Sequence, residues 1–256
     1  MLEFRHYALR NIKSMLKYFG SIASSPGTTG KYYYSRFFQH YKIEAEYTPF
    51  RADSIDDLLE YLSYIQYSGF NISMPFKQRV INYLKVASQD VEQYNSCNTI
   101  KIIGGELYGF NTDINGVLKI VSCLLKNDRV ILLGNGAIGN VFAKALTERK
   151  INFSIRSPSL KNWDNRHENC DVLINCTSLG TSLNVSPIDF VNVNRAVFDL
   201  AINGTKLREM CKTVNYVSGI SFYREVFLEQ FFIHTGIQPD RDYFDYLTKL
   251  LDSKFS

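Results

Sequence analysis

The sequence predicts an α/β chain of two domains, the second built on an open, doubly wound parallel sheet, and three features point to it. Arg129 to Leu133 is a short apolar run bounded by turn residues, the pattern of a strand buried on both faces. A glycine-rich stretch, Gly134-Asn135-Gly136-Ala137-Ile138-Gly139, follows it directly, and a helical pattern over Asn140 to Lys150 leads to a second strand at Ile151 to Ile155. Strand, helix and strand at this spacing form the βαβ unit of a parallel sheet. Before about Thr112 the chain instead mixes short strands and helices, and 256 residues suffice for two modest domains.

In chain order, Met1 to Lys17 is basic with spaced apolar residues but has no h-region or cleavage site, so a short N-terminal helix is expected. Tyr18-Phe19-Gly20 ends a first strand. Ser21 to Gly30, with two glycines, a proline and five hydroxyl residues, is loop chemistry that could bind an anionic or polyhydroxylated ligand. Tyr32 to Tyr41 has helical apolar density, and Glu44 to Phe50 is a strand that should stop at Pro49. Ser54 suits an N-cap, with Asp56 and Asp57 in the first turn of a helix to about Tyr67.

Gly69 to Ser73 is the next strand, running into Asn71-Ile72-Ser73-Met74-Pro75-Phe76-Lys77. The proline ends that strand, a turn and a helix over Gln78 to Val86 should follow, and Lys77 sits where strands deliver side chains into clefts. Cys97 to Ile103 and Glu106 to Asn111 alternate about Gly104-Gly105 as a β-hairpin. In the second half, Asn115 to Lys126 is helical and Asp171 to Cys176 and Ala196 to Leu200 are further strands. Phe222 to His234 and Asp240 to Leu251 are closing helices. The domains divide as 1–112 and 113–221, with 222–256 as a C-terminal helical segment.

Composition narrows the function. A net charge of +4, evenly spread, argues against nucleic acid but suits a small anionic ligand. The five cysteines are scattered, which fits a reducing, cytoplasmic setting, and with four dispersed histidines they give no metal-ligand spacing. No apolar run is long enough to span a membrane.

The glycine-rich loop meets its confirming context, a buried strand before it and a helix after it, which lets backbone amides approach a pyrophosphate at the helix N-terminus. At the end of the next strand an NAD site usually carries a carboxylate. Ser154-Ile155-Arg156-Ser157 stands there, with no acid until Asp164, and a guanidinium beside a hydroxyl suits the 2′-phosphate of NADP. Gly109-Phe110-Asn111-Thr112-Asp113 lies at the domain junction, where Asp113 either reaches a cleft ligand or caps the following helix. Beside Lys77 it would form an acid–base couple, which alcohol oxidation requires to remove the hydroxyl proton as hydride leaves carbon.

The order and spacing of these motifs resemble the shikimate dehydrogenase family from about Tyr18 to the C-terminus. The family's N-x-T-x-P-x-K is Asn71 to Lys77 here, which implies a catalytic Lys77 with substrate contacts from Asn71 and Ser73. Its N-T pair is Asn98-Thr99, where the Asn binds substrate. Its G-x-N-T-D-x-x-G is complete as Gly109 to Gly116, which makes Asn111 a substrate contact and Asp113 the partner of Lys77. The nucleotide loop matches Gly134 to Gly139, the N-R-T that holds the 2′-phosphate is Ile155-Arg156-Ser157, and N-x-T-x-x-G is Asn175 to Gly180. Thr177 and Gly219 join the implied cofactor contacts, and the C-terminal helices are expected to pack back on the first domain.

The sequence departs from the family around the substrate. In place of S-x-S-P, the first loop reads Ser24-Ser25-Pro26-Gly27-Thr28-Thr29, so Ser24 and Ser25, or Thr28 and Thr29, would take the carboxylate. A tyrosine near the substrate becomes Ile202, and the substrate glutamine falls on Val226, leaving Gln230 to stand in one turn later. The resemblance implies an NADP-dependent oxidoreductase of the chorismate pathway: an N-terminal α/β substrate domain plus a Rossmann-type domain, monomeric or homodimeric, acting on a cyclic hydroxy acid. Shikimate and 3-dehydroshikimate lead. Quinate, an aminoshikimate-type acid, or a non-catalytic NADP-binding regulatory protein are the alternatives.

Overall fold

The computed structural model describes residues 16–64, 67–179, 185–202 and 206–252, so nearly all of the expected N-terminal helix, and Gly180, lie outside the described residues. The chain forms two compact units. The first draws on the described parts of Met1–Ser88, Cys97–Phe110 and Phe231–Ser256, and the second on Gln89–Ser96 and Asn111–Gln230.

In the first unit β1 (Lys17–Ala23), β2 (Ala45–Arg51), β3 (Tyr67–Ile72), β4 (Val86–Ala87), β5 (Thr99–Ile103) and β6 (Glu106–Phe110) form one mixed sheet in the order β2-β1-β3-β5-β6-β4. The helices α1 (Thr29–His40) and α2 (Ile55–Tyr64) connect the parallel strands. The aromatic run of α1 is core: Tyr33, Tyr34, Phe37 and Phe38 are all buried. Tyr33 stacks on Phe244 at 4.2 Å, and its hydroxyl meets Thr248 at 2.8 Å, so the C-terminal helix packs against α1. At the start of α2 the Ser54 hydroxyl accepts from the Asp57 amide at 3.1 Å while the Asp57 carboxylate accepts from the Ser54 amide at 2.9 Å, a reciprocal cap. The Asp53 amide, which donates to the same carboxylate at 2.8 Å, together with Ser54 holds the Asp57 carboxyl below its usual range.

Three expectations are corrected here. The first strand does not stop at Gly20: Ser21 and Ile22 pair with both neighbours and Ala23 with β2, so the loop begins only at Ser24. Pro49 does not end β2, which runs through it to Arg51. β2 is an edge strand with a partner on one side only, and a missing amide donor costs nothing on the open side. The helix expected over Gln78 to Val86 is a 3₁₀ turn, Arg79–Tyr83, followed by β4. Main-chain bonds from Lys85 to Leu107 (2.8 Å) and from Ser88 to Gly109 (2.9 Å) draw that segment onto β6 instead.

The second unit is a purely parallel sheet of β7 (Arg129–Leu133), β8 (Asn152–Arg156), β9 (Cys170–Asn175), β10 (Val193–Asp199) and β11 (Asn215–Ser218), in the order β11-β10-β9-β7-β8. Val130 and Leu132 join one buried cluster and Ile131 and Leu133 another, so β7 is covered on both faces. With β8 on one side of β7 and β9 on the other, the winding reverses at β7, where open α/β sheets bind ligands. The helix expected from Asn115 to Lys126 is Asp113–Val121, and beyond its end the Asp128 carboxylate takes the Leu125 amide at 2.6 Å. The helices Gln89–Tyr94 and Lys206–Met210 and the strand β11 were not foreseen.

Candidate active site

In the second unit main-chain bonds tie the carboxyl ends of four strands in a row. Gly134 donates to Arg156 at 2.9 Å, Cys176 to Leu133 at 2.9 Å and Leu200 to Asn175 at 3.1 Å. Gly134 has φ of +95°, a left-handed conformation open to glycine. A Cβ on Gly139 would lie 2.4 Å from the Gly134 carbonyl, so strand and helix close only over glycine there. Gly136 is extended and precedes the helix Ala137–Glu148 without a side-chain cap, which leaves the amides of Ala137 and Ile138 in an uncapped first turn suited to an anion. Asn135 links the loop to the next strand end: its carbonyl accepts from the Ser157 hydroxyl and its amide donates to Ser159, both at 2.8 Å.

Thr177 lies beside this loop, its methyl 3.2 Å from a Cβ built on Gly134, and its hydroxyl donates to Asn175 at 2.7 Å. Gly219 sits where a Cβ would fall 2.3 Å from the Leu200 carbonyl. Arg156 is more engaged than its sequence position indicates. Its Nη2 donates to Glu168 at 2.5 Å, its Nε to the Asn165 carbonyl at 3.3 Å and its Nη1 to Ile155 at 3.2 Å. Ser157 is buried, its amide held by Asn162 at 2.9 Å.

The first unit gathers its predicted residues by the same device. Ser73 donates from its amide to Ile22 at 2.9 Å, and the Ser24 amide to Met74 at 3.2 Å, joining the loops after β1 and β3. Ile72 donates to the Asn98 carbonyl and Cys97 to the Lys77 carbonyl, both at 2.8 Å, so Asn98 and Lys77 flank the end of β3. Ser24, Ser25, Thr28 and Ser73 are exposed, whereas Lys77 and Asn98 are buried.

Asn71 turns away from this group. Its amide nitrogen donates to Tyr47 at 3.0 Å and Tyr34 at 3.4 Å, and its oxygen faces His234 Nε2 at 2.9 Å. Nothing in the sequence spacing links Asn71 to these three partners.

In the second unit Asp113 is the first residue of its helix and Thr112 the N-cap, so Asp113 is not the capping residue. The Asn111 oxygen accepts from the Asp113 amide at 3.2 Å. The Asn111 amide nitrogen is buried without a hydrogen-bond partner, a donor left for a ligand. Gly116 is required because a Cβ there would fall 2.5 Å from the Phe222 ring. Gln230 is buried on the helix Ile220–Thr235, and Val226 belongs to the apolar core. Near Ile202, Asp199 accepts from Asn175 and from the hydroxyl of Tyr216, both at 2.9 Å; Tyr216 was not foreseen.

Among the described residues no group of three or more His, Cys, Asp or Glu could hold a metal, and no helix is long and apolar enough to cross a membrane.

Two α/β units, one with a phosphate-type glycine loop at the switch point of a parallel sheet, define an α/β fold whose second unit is of the dinucleotide-binding type. Residues 27–100 match the family described as the shikimate dehydrogenase substrate binding domain. The shikimate dehydrogenase (NADP(+)) of Pyrococcus abyssi is 28% identical over 233 residues, covering 81% of this chain and 87% of that protein. Shikimate dehydrogenase 1 from Peptoclostridium difficile has the same fold, with a TM-score of 0.80 at 19% identity over 94% of this chain and 99% of that one. Shikimate 5-dehydrogenase from Thermus thermophilus, solved in complex with NADP(H) and shikimate, gives a TM-score of 0.76 at 18% identity over 91% and 99%. By sequence the chain is similar to shikimate dehydrogenases over most of its length.

Proposed function

We propose that this protein is an NADP-dependent oxidoreductase that interconverts shikimate and 3-dehydroshikimate, or a close analogue, by hydride transfer. The observation that carries the reading is the grouping of Ser24, Ser73, Lys77 and Asn98 at the bonded ends of β1 and β3. It is supported by the names of the curated relatives and by the ligands of the Thermus thermophilus neighbour.

The second unit fits the cofactor. Gly134 and Gly139 are held glycine by conformation and close approach, and the amides of Gly136, Ala137 and Ile138 would take the pyrophosphate. Arg156 and Ser157 would take the 2′-phosphate, with Asn135, Thr177 and Gly219 lining the loop. NADP, when bound, supplies or accepts the hydride.

The chain's own residues handle the proton and the orientation. Lys77 would move the proton at the carbinol oxygen, with Asp113 as its charge partner. Asn98, Asn111 and Ser73 would fix the ring hydroxyls, the unpartnered Asn111 amide gaining the bond it lacks. Ser24 and Ser25, or Thr28, would hold the carboxylate, and Gln230 would add a contact at the ring. Asn71 would act by locking the end of β3 through Tyr47 and His234. Such binding energy raises the rate only where it aligns the carbinol carbon with the nicotinamide.

The test is NADPH formation across shikimate, quinate and amino analogues, with Lys77→Ala checked for native circular dichroism. Lys77→Ala should lower kcat by about 10²- to 10⁴-fold. Unchanged kcat would remove Lys77 from the mechanism. No turnover with any acid, together with tight NADP⁺ binding, would favour a nucleotide-binding regulatory protein.

A further inference from the structure

Glu168 was not among the sequence-derived site residues, yet it makes a direct ion pair with the side chain assigned to the 2′-phosphate. We propose that Glu168 is a specificity-determining residue of the cofactor site, an internal anion that occupies the guanidinium of Arg156 and that the 2′-phosphate must displace. The inference rests on the reading of Arg156 as the phosphate ligand.

Three features of the second unit support it. All three Arg156 side-chain nitrogens face protein acceptors: Glu168 at 2.5 Å, the Asn165 carbonyl at 3.3 Å and the Ile155 carbonyl at 3.2 Å. A guanidinium grips phosphate through paired N–H groups, so a carboxylate on Nη2 takes part of the edge the phosphate needs. Two anions on one edge repel, and one of them has to leave.

The exposures say which. The Arg156 side chain is 13% exposed and that of Glu168 52%, so the cation is fixed while the acid borders on water and can swing into it. The neighbouring hydroxyl is also engaged internally, since Ser157 Oγ donates to Asn135 at 2.8 Å and lies 3.0 Å from Ser159 Oγ. The 2′-phosphate therefore enters a site whose polar groups are already paired, whereas a nucleotide with a free 2′-hydroxyl leaves the ion pair in place. Glu168 narrows the margin by which this protein prefers NADP⁺ over NAD⁺, a discrimination set by what the wrong ligand need not disrupt.

Calorimetric titration of the full chain with NADP⁺ and, separately, with NAD⁺ tests this without turnover. Glu168→Gln should bind NADP⁺ about fivefold more tightly than the native protein, the scale of a partly exposed ion pair, with NAD⁺ binding unchanged. Glu168→Ala should move in the same direction, which separates loss of charge from the fit of a glutamine. Unchanged or weaker NADP⁺ binding in both variants overturns the inference. Arg156→Ala identifies which reading has failed. If it abolishes the NADP⁺ preference while the Glu168 variants do nothing, only the role of Glu168 is lost. If it leaves the preference intact, Arg156 is not the phosphate ligand and both readings fall.

Discussion

Burial pushes the His234 imidazole down to about 3, with Lys101 adding to the effect, so the ring is neutral at ordinary pH. Asn71 donates through its amide to Tyr47 and Tyr34, so its oxygen faces the ring and Nε2 must carry the proton. Nδ1 is buried without a partner, next to the space that glycine leaves at Gly69, where a Cβ would sit 2.4 Å away. An unfolded histidine protonates near its ordinary value of 6.5 and the folded one only near 3, so the unfolded state binds the extra proton between them. This contribution is complete above pH 6.5 and declines as the pH falls through that window, by about 1.4 kcal/mol per unit. Urea unfolding of native protein and His234→Gln from pH 7 to 4 should show a steeper loss for the native chain; parallel curves would refute a buried neutral His234. Nothing at the level of sequence ties His234 to Asn71, because their contact is made by strand and helix packing across 163 positions.

At the scale of elements, the turn from β7 into its helix depends on the left-handed conformation of Gly134 and on a close approach at Gly139 that glycine alone permits. Gly139→Ala places a carbon 2.4 Å from the Gly134 carbonyl and should destabilise the protein by about 1–3 kcal/mol while weakening NADP⁺. Gly136→Ala, with nothing within 4 Å of its Cβ, should leave stability nearly unchanged. Equal denaturation midpoints for both variants would contradict this division. The same turn was the most legible part of the chain: β7 falls on Arg129–Leu133, as the apolar run indicates, since a strand covered on both faces has a pattern of its own. The segment at Gln78 to Val86, the helix Lys206–Met210 and the strand β11 were illegible for the opposite reason. Each is short, and the first and last take their form from bonds to a neighbouring strand, about which local preference says little.

For the molecule as a whole, a cofactor that binds only the folded chain must raise its stability. Saturating NADP⁺ at about 100 times its Kd should add about 2.7 kcal/mol, seen as a rise in the thermal midpoint that tracks ligand concentration. An absent shift would argue that the glycine loop binds no dinucleotide. The candidate site was legible where linear motifs lie at strand ends, as at Lys77, Asn98 and the Gly134 to Gly139 loop. It was illegible at Glu168, an acid beyond a 3₁₀ turn that only the fold brings to Arg156. The first sheet also bears on how these molecules behave at high concentration. It ends on β2 at one side and on the two-residue β4 at the other. Pro49 deletes an amide from the outward row of β2, and β4 offers too short a template to zip against. A stray strand from another molecule finds few bonds at either border, so the proline that a strand is expected to avoid helps keep these chains from stitching together into aggregates.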